Sequence, residues 1–523
     1  MKLAILFLAP LLALDAFGAS IDMIDGTLLH QVDPTLQGSG VPVAQPEAAN
    51  GAPGLFEIDP SGVGQPTNLF TWISADGTAT NYPNSLGGFS GHAEFVANEF
   101  YGKTNGLANQ VSHVDNYDAD YFYNQFIQNG TAIGVRVVNQ SFIFTADANG
   151  DHYPTNEEEM LDAQYDDFAS EYGVLFVSGA GNGGRVYPAA TCYNGIGVGV
   201  INGDSSFGPT GDGRCKPDIV SPGDISLTSF STPFVSGAAA VLIQAALRGD
   251  GGADTNSAND NRTIKALILN GATKPSDWTN SVISPLDARY GSGVLNVFNS
   301  WTELKGGKHA FIESSSVSIG TPHLPGANPA NEPTSIGWDY NSLTNPDPLH
   351  DQINHYYFTV TGSNSFIFTS TLVWLRPHST ILNPLPAIND LNLFLYNTAN
   401  NSLVLCSTSA VDNVEHLYIP GLLPGRYDLQ VEKNASGNVS LGETYALAFE
   451  FSNTALNITP TNGNALVSWP LAPAGFQLQS ATDLGPPTAW SNVTAAVSVD
   501  TNAYRNVVLI PNTGGNQFFR LER

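Results

Sequence analysis

Four residues of this chain stand where their side chains could stabilise or deliver charge. Ser229 lies in TSFSTPFVSGAAAVL, where a loop enters a small-residue helix and Pro233 falls close to the helix start. A serine there has a free backbone N–H and the positive end of the helix dipole behind it, conditions that stabilise an oxyanion. The commoner use of such a serine is a plain helix cap. Asn182, in SGAGNGG, follows an apolar run and a Gly-Ala-Gly turn. Its amide could donate to a developing negative oxygen, although asparagine is also an ordinary turn residue. His92, in GGFSGHAEFVANEFYG, sits after a glycine-rich loop at the mouth of a helical run from Ala93 to Phe100. Glu47 ends the apolar run of GSGVPVAQPEA (Gly38 to Ala48), an unusual place for a carboxylate.

The elements that must position these residues alternate in type. IGVRVVNQSF (133–142), GVLFVSGAGNGG (173–184) and GIGVGVING (195–203) read as strands, each closing in polar or glycine-rich residues. EEEMLDAQYDDFASEYG (157–173) repeats its apolar residues at helical spacing, and TPFVSGAAAVLIQAAL (232–247) is apolar nearly all round, as a buried helix is. This alternation predicts an α/β fold, a mostly parallel sheet with helices on both faces. Ligands bind at the C-terminal ends of such strands, where Asn182 falls. After about residue 300 the helical patterns stop. HYYFTVTG, SFIFTSTLVWL, DLNLFLYN, HLYIPGL, GRYDLQVEK and ETYALAFEF are strand-like runs parted by Asn, Gly, Ser and Pro, which predicts an all-β sandwich. NALVSWPL, GFQLQSATDL, YRNVVLIP and NQFFRLER then suggest a small separate β module. The expected division is a signal peptide over 1–18, a catalytic domain over 19–303, a sandwich over 304–455 and a C-terminal module over 456–523.

One more stretch is chemically silent but distinctive in wording: SSFGPTGDGRCKPDIVSPG, Ser205 to Gly223. The order His92, Asn182, GPT, DGR, KPDIV, PG and then TS-x-x-TP-x-V-x-G closely resembles the subtilisin-like serine protease family. The resemblance covers about residues 36–300 and continues in IKALILNGA and PLDARYGSGVLN. It implies a serine endopeptidase in which Ser229 is the nucleophile, His92 the general base and Asn182 the oxyanion donor, beside the Ser229 N–H. It further implies that Ser141, Gly179 and Gly181 bind the substrate backbone. At the place of the family's acid, normally Asp, this chain has Glu47; Asp59 or Asp76 are the alternatives. A glutamate can do the same electrostatic work but is one methylene longer.

Other positions depart from the family pattern. Leu227 replaces the glycine before Thr228-Ser229, so the turn at the nucleophile must differ. Ala93 and Phe95 replace the glycine and second histidine of the His motif. Phe142, Ile143 and Phe144 replace small residues after Ser141, which could narrow the pocket for the substrate's key side chain. Fewer than thirty residues separate the signal from Gly38, too few for a folded pro-domain. TLVWLRP, INDLNLFLYN and PGRYDLQVE look like the β-sandwich that follows some subtilisin-like proteases, similar to pre-peptidase C-terminal domains. The alternative to the enzyme is an inactive subtilisin-like domain serving as a peptide-binding or surface scaffold. A ligase or transferase on the same acyl-enzyme logic is a further rival that no residue favours.

The 523 residues include 47 Asp and Glu against 19 Lys and Arg, a formal charge of −28. That surface repels nucleic acid phosphates and anionic lipid, so the expected partners are protein or peptide substrates. MKLAILFLAPLLALDAFGAS reads as a secretory signal cut after Gly18, which predicts a secreted or cell-surface protein. No later apolar run reads as long enough to span a bilayer. Cys192 and Cys215 could pair, leaving Cys406 free. No catalytic metal or required cofactor is expected. Calcium is possible as a structural ion, at DANGD (147–151), which lacks a closing bidentate Glu, or at Asp390 and Asp412.

Overall fold

The computed structural model describes residues 20–522 apart from 50–53, 148, 202, 204, 224–225, 310–312, 327–333, 345–346, 363–364, 378, 380–386, 436–438, 454, 473–474, 487 and 513. The leader segment over 1–18 lies outside the described residues.

Its centre is an eight-stranded sheet built from β1 (Pro42–Glu47), β2 (Phe70–Ser74), β3 (Gly77–Ala79), β4 (His113–Asp118), β5 (Val137–Gln140), β6 (Leu175–Gly179), β7 (Ile196–Val200) and β8 (Ile219–Ser221). The spatial order is β8-β7-β6-β5-β1-β4-β2-β3, parallel except for the β2–β3 hairpin. β5 to β8 are buried on both faces, which explains their continuous Val, Ile and Gly runs. The α/β fold expected from the sequence is therefore present.

Helices α1 (Gly91–Phe100), α2 (Thr155–Tyr172), α3 (Thr228–Leu247), α4 (Asn261–Asn270) and α5 (Val297–Gly306) flank this sheet. Three details of α1 to α3 follow from local chemistry. Ser90 caps α1 by accepting the Ala93 N–H at 3.2 Å. α2 ends at Gly173, whose φ of 63° suits glycine. α3 packs against β5, β6, β7 and α1, and nearly every residue of it is buried. At 20 residues it is long and apolar enough to cross a membrane, contrary to the sequence reading of no later span. Its surroundings account for that composition: Ala and Gly let it approach the sheet closely, and Val and Leu fill the core.

The KPDIV wording also acquires a reason. Asp218 is buried and takes Lys216 Nζ at 2.6 Å and Lys265 Nζ from α4 at 3.2 Å. Burial alone would raise its carboxyl, but the two ammonium groups hold it below the usual range. Arg214, in the same stretch, pairs with Asp162 of α2 at 2.9 Å.

Beyond α5 the chain is all-β. Strands β9 (Glu313–Ser318), β10 (Ile336–Thr344), β11 (His350–Val360), β12 (Phe366–Trp374), β13 (Leu391–Asn397), β14 (Ser402–Ser407), β15 (Val414–Leu422), β16 (Gly425–Lys433) and β17 (Gly442–Ser452) form two antiparallel sheets. Their orders are β9-β11-β16-β13-β14 and β10-β17-β12-β15. Between them lies a core that includes Tyr356, Phe368, Trp374, Leu393, Leu429 and Phe449. Residues 457–522 make a four-stranded and a three-stranded antiparallel sheet over a small core of Val467, Trp469, Leu478, Val508 and Ile510.

The sandwich shares the interior of the α/β part. Trp338, Val373, Val414, Ala446 and Ala448 belong to the same apolar cluster as α3, α4 and α5. Polar bonds stitch the seam: Thr369 and Thr371 Oγ1 each donate to Asn270 Oδ1 at 3.0 Å, and Arg376 N donates to Asn194 Oδ1 at 2.8 Å.

The three cysteines are free thiols, so the Cys192–Cys215 pair considered above is not formed. Burial pushes both of these thiols up to about 12. Cys192 lies under Gly195, while the Cys215 amide donates to Asp412 Oδ1 at 2.7 Å.

Candidate active site

The candidate residues gather at the C-terminal ends of three adjacent strands, where ligands bind in α/β sheets. Glu47 is the last residue of β1, Ser141 follows β5, and Gly179 ends β6 three residues before Asn182. The start of α3 lies over these ends.

Glu47 is 2% exposed, and His92, in the first turn of α1, meets it Nδ1 to Oε2 at 2.8 Å. The rival acids are engaged elsewhere. Asp59 accepts from the Ser61 amide and hydroxyl at 2.8 and 2.7 Å, and Asp76 is exposed in the turn after β2. The second oxygen of Glu47 is held by a residue absent from the sequence expectations. Gln45 Nε2 donates to Glu47 Oε1 and to the Ala93 carbonyl, both at 2.9 Å, and Tyr101 OH donates to Gln45 Oε1 at 2.7 Å. Burial, and next the Glu47 charge, push the Tyr101 phenol far up, so it stays a donor. The available signal was period two: residues 45 and 47 share one face of a strand.

Ser229 is the second residue of α3, where the backbone N–H has no partner within the helix. The turn into it differs from a glycine turn, as Leu227 implied. The left-handed residue is Ser226, at φ 60°, while Leu227 is extended at φ −118° and ψ 146° and tolerates its side chain. Pro233 lacks the N–H that would bond the Ser229 carbonyl within the helix. That carbonyl instead accepts from Ser141 Oγ at 2.8 Å, and Ser229 Oγ donates to the Ser141 carbonyl at 3.3 Å. Asn139 Nδ2 in turn donates to Ser141 Oγ at 3.0 Å. The His92 ring packs on that of Phe230, the residue after Ser229, with centroids 5.6 Å apart.

Asn182 is also locked. Thr228 N and Thr228 Oγ1 both donate to its Oδ1, at 2.9 and 3.0 Å, which leaves the amide nitrogen as the free end of the group. Gly179 and Gly181 are explained first by space. A Cβ on Gly179 would lie 3.1 Å from Thr232 Oγ1, and one on Gly181 would meet Ser206 Oγ at 2.7 Å in a backbone at φ 104°.

Phe142 and Phe144 are buried in an aromatic cluster with Tyr123, Tyr165 and Phe168. They fill the space beside the Ser141 segment, which is not part of a strand. Phe95 is exposed and meets Phe230 edge-on at 5.9 Å, giving the surface next to His92 an apolar rim. A cleft of about 300 Å³ lined by Arg136, Tyr172, Asn259 and Arg262 lies at the other end of the strands, away from this chemistry.

The suggested calcium loop is closed by its own amides. Asp147 Oδ1 accepts from Asn149 N at 2.9 Å and Asp151 N at 3.2 Å, and Oδ2 accepts from Asn149 Nδ2 at 3.0 Å. Asp412 is likewise engaged, by Cys215 N and by Ser409 Oγ at 2.7 Å.

A serine in the first turn of a helix, a histidine on a buried carboxylate and an anchored amide define a candidate site of the serine hydrolase class. Residues 78–293 match the model of the subtilase family. That match contains His92, Ser141, Asn182 and Ser229 and begins after Glu47. The chain is 25% identical over 255 residues to the serine protease/ABC transporter B family protein tagB of Dictyostelium discoideum, covering 39% of this chain. It is 29% identical over 244 residues to tagD of the same organism, covering 37% of this chain. It spans 13% of the length of each of these relatives. Among solved structures, the prenylagaramide maturation protease PagA aligns at 20% identity and TM-score 0.39, over 54% of this chain and 99% of its own. The Aeromonas sobria serine protease aligns at 13% identity and TM-score 0.35, over 93% of this chain and 89% of its own.

Proposed function

We propose that this protein is an exported serine endopeptidase working through Ser229, His92 and Glu47. The observation that carries the reading is the 2.8 Å contact of His92 with buried Glu47 at the C-terminal end of β1. His92 Nδ1–H donates to Glu47, which holds the ring in the tautomer whose Nε2 accepts a proton. His92 takes the Ser229 proton as Oγ attacks the scissile carbonyl, and later gives it to the leaving amine. The Asn182 amide and the Ser229 N–H, at the positive end of α3, receive the tetrahedral oxygen. Water then hydrolyses the acyl-enzyme by the same route in reverse. Gln45 keeps Glu47 from rotating, so the extra methylene of glutamate is fixed in place. The apolar rim at Phe95 and Phe230 favours substrates with apolar side chains beside the scissile bond, and Ser141, Gly179 and Gly181 line the backbone path. Export rests on the leader-like sequence over 1–18.

The test is labelling by a fluorophosphonate probe together with casein hydrolysis, for the wild type and Ser229→Ala. Labelling and cleavage that both vanish in Ser229→Ala support the enzyme. A folded wild type that neither labels nor cleaves rejects it in favour of a peptide-binding scaffold.

A further inference from the structure

In the sandwich, the face of the β11-β16-β13 sheet turned away from the core carries a buried polar cluster. Glu432 on β16 is registered opposite Ile353 on β11 and Asn392 on β13. Asp351 stands two residues along β11, and Asp390 immediately precedes β13, both on the same face by the period of two. Three carboxylates therefore converge from two strands and the entry to a third. The segment 319–326 runs over them and places His323 on top. His323 is 8% exposed, Asp351 4% and Glu432 3%. One donor atom from each of these three lies within 4.8 Å of the others, and His323 Nε2 is 3.3 Å from Glu432 Oε1.

This assembly is costly as it stands. Asp351 and Glu432 are both buried and present carboxylate oxygens within 4.8 Å of each other. Asp390 Oδ1 is buried with no hydrogen-bond partner among the described residues. His323 Nδ1 is also buried and unpartnered. The rest of the cluster is held in place: Ala435 N donates to Asp351 Oδ1 at 2.9 Å, Gln430 Nε2 donates to the His323 carbonyl at 3.2 Å, and the His323 ring meets Phe394 edge-on at 5.1 Å.

We propose that His323, Asp351 and Glu432, with Asp390 beside them, form a binding site for one divalent ion of the zinc and manganese class, which clamps segment 319–326 onto the sandwich. A cation neutralises the converging carboxylates and gives the orphaned oxygen a partner. The imidazole ligand selects against calcium, which takes an all-oxygen shell. The site is structural and independent of the peptidase reading.

The experiment uses the full chain carrying Ser229→Ala, so that self-cleavage does not interfere. The protein is stripped with a chelator, loaded with Zn²⁺ or Mn²⁺, desalted and analysed for metal. One equivalent per chain is expected, falling to less than a tenth of an equivalent in His323→Gln and in Glu432→Gln. Saturating Zn²⁺ or Mn²⁺ should raise the melting temperature of the parent by roughly 5 °C or more and leave both variants unmoved. Should the variants fail to fold, Co²⁺ loaded into the parent provides the readout, because a nitrogen–carboxylate site gives visible ligand-field bands. A parent that retains no ion, or variants that retain it equally, overturns the proposal. A calcium shift as large as that of zinc and intact in His323→Gln overturns the ligand assignment.

Discussion

The molecule holds two imidazole–carboxylate pairs that are closely alike in hydrogen bonding. In the α/β part His92 Nδ1 meets Glu47 at 2.8 Å; in the sandwich His355 Nδ1 meets Asp428 at 2.8 Å, and Ser315 Oγ lies 2.9 Å from His355 Nε2. Each carboxylate even accepts from a glutamine two residues away on its own strand, Gln45 at 2.9 Å and Gln430 at 2.6 Å. What differs is the surroundings. Ser229 stands on the first turn of a 20-residue helix with unpaired N–H groups, and Asn182 is anchored with its amide end free. Ser315 sits within edge strand β9, opposite Ile353, with no helix end behind it. A relay of this kind packs well wherever a polar face is covered. Chemistry requires in addition donors aimed at a charge that exists only in the transition state.

Four measurements probe that contrast, from the largest expected effect down. Ser229→Ala should lower proteolysis by at least ~10⁴-fold, while Ser315→Ala leaves it unchanged. Loss of turnover in Ser315→Ala with the fold intact would break the distinction. Glu47→Gln should cut kcat by about 10⁴-fold at unchanged melting temperature. Asp428→Asn should do the reverse, leaving kcat alone and costing about 1–3 kcal/mol in denaturant unfolding. Asn182→Ala should lower kcat by about 10²–10³-fold with KM little changed, as expected for a donor used only in the transition state. The smallest effect is on pH dependence in the sandwich. Asp390 has its folded value raised from 3.8 to about 6, so its contribution to stability is complete below about pH 4 and is lost as pH rises through about 6. The metal-free protein should therefore gain stability on acidification from neutral pH to about 5, and Asp390→Asn should flatten that gain in thermal melts.

The parts legible in the sequence were those where one residue contradicts its neighbourhood. Glu47 stood out because a carboxylate ends an apolar strand, and Asn182 because a glycine turn follows one. The alternation of strand and helix was plain because the parallel strands are apolar throughout. Gln45 escaped notice because a polar residue inside a short strand has no meaning until its neighbours are known. Thr228 escaped because the TS pair reads as a cap. The positive φ at Ser226, in place of the expected glycine, depends on how the short loop closes. The bulky stretch Phe142 to Phe144 read as pocket walls, yet two of its rings serve the core under α2. The cluster around Glu432 joins residues more than a hundred positions apart, and only sheet register brings them together.

The seam between the α/β part and the sandwich has a consequence for how the molecule comes apart. Trp338, Val373, Val414, Ala446 and Ala448 complete an interior begun by α3, α4 and α5, and Asn270 spends its carbonyl oxygen on Thr369 and Thr371. Heat or denaturant then meets a single cooperative unit, since neither half can open without baring the other's apolar face. A chain severed after α5 would carry an uncovered greasy wall and lose solubility before it lost its serine.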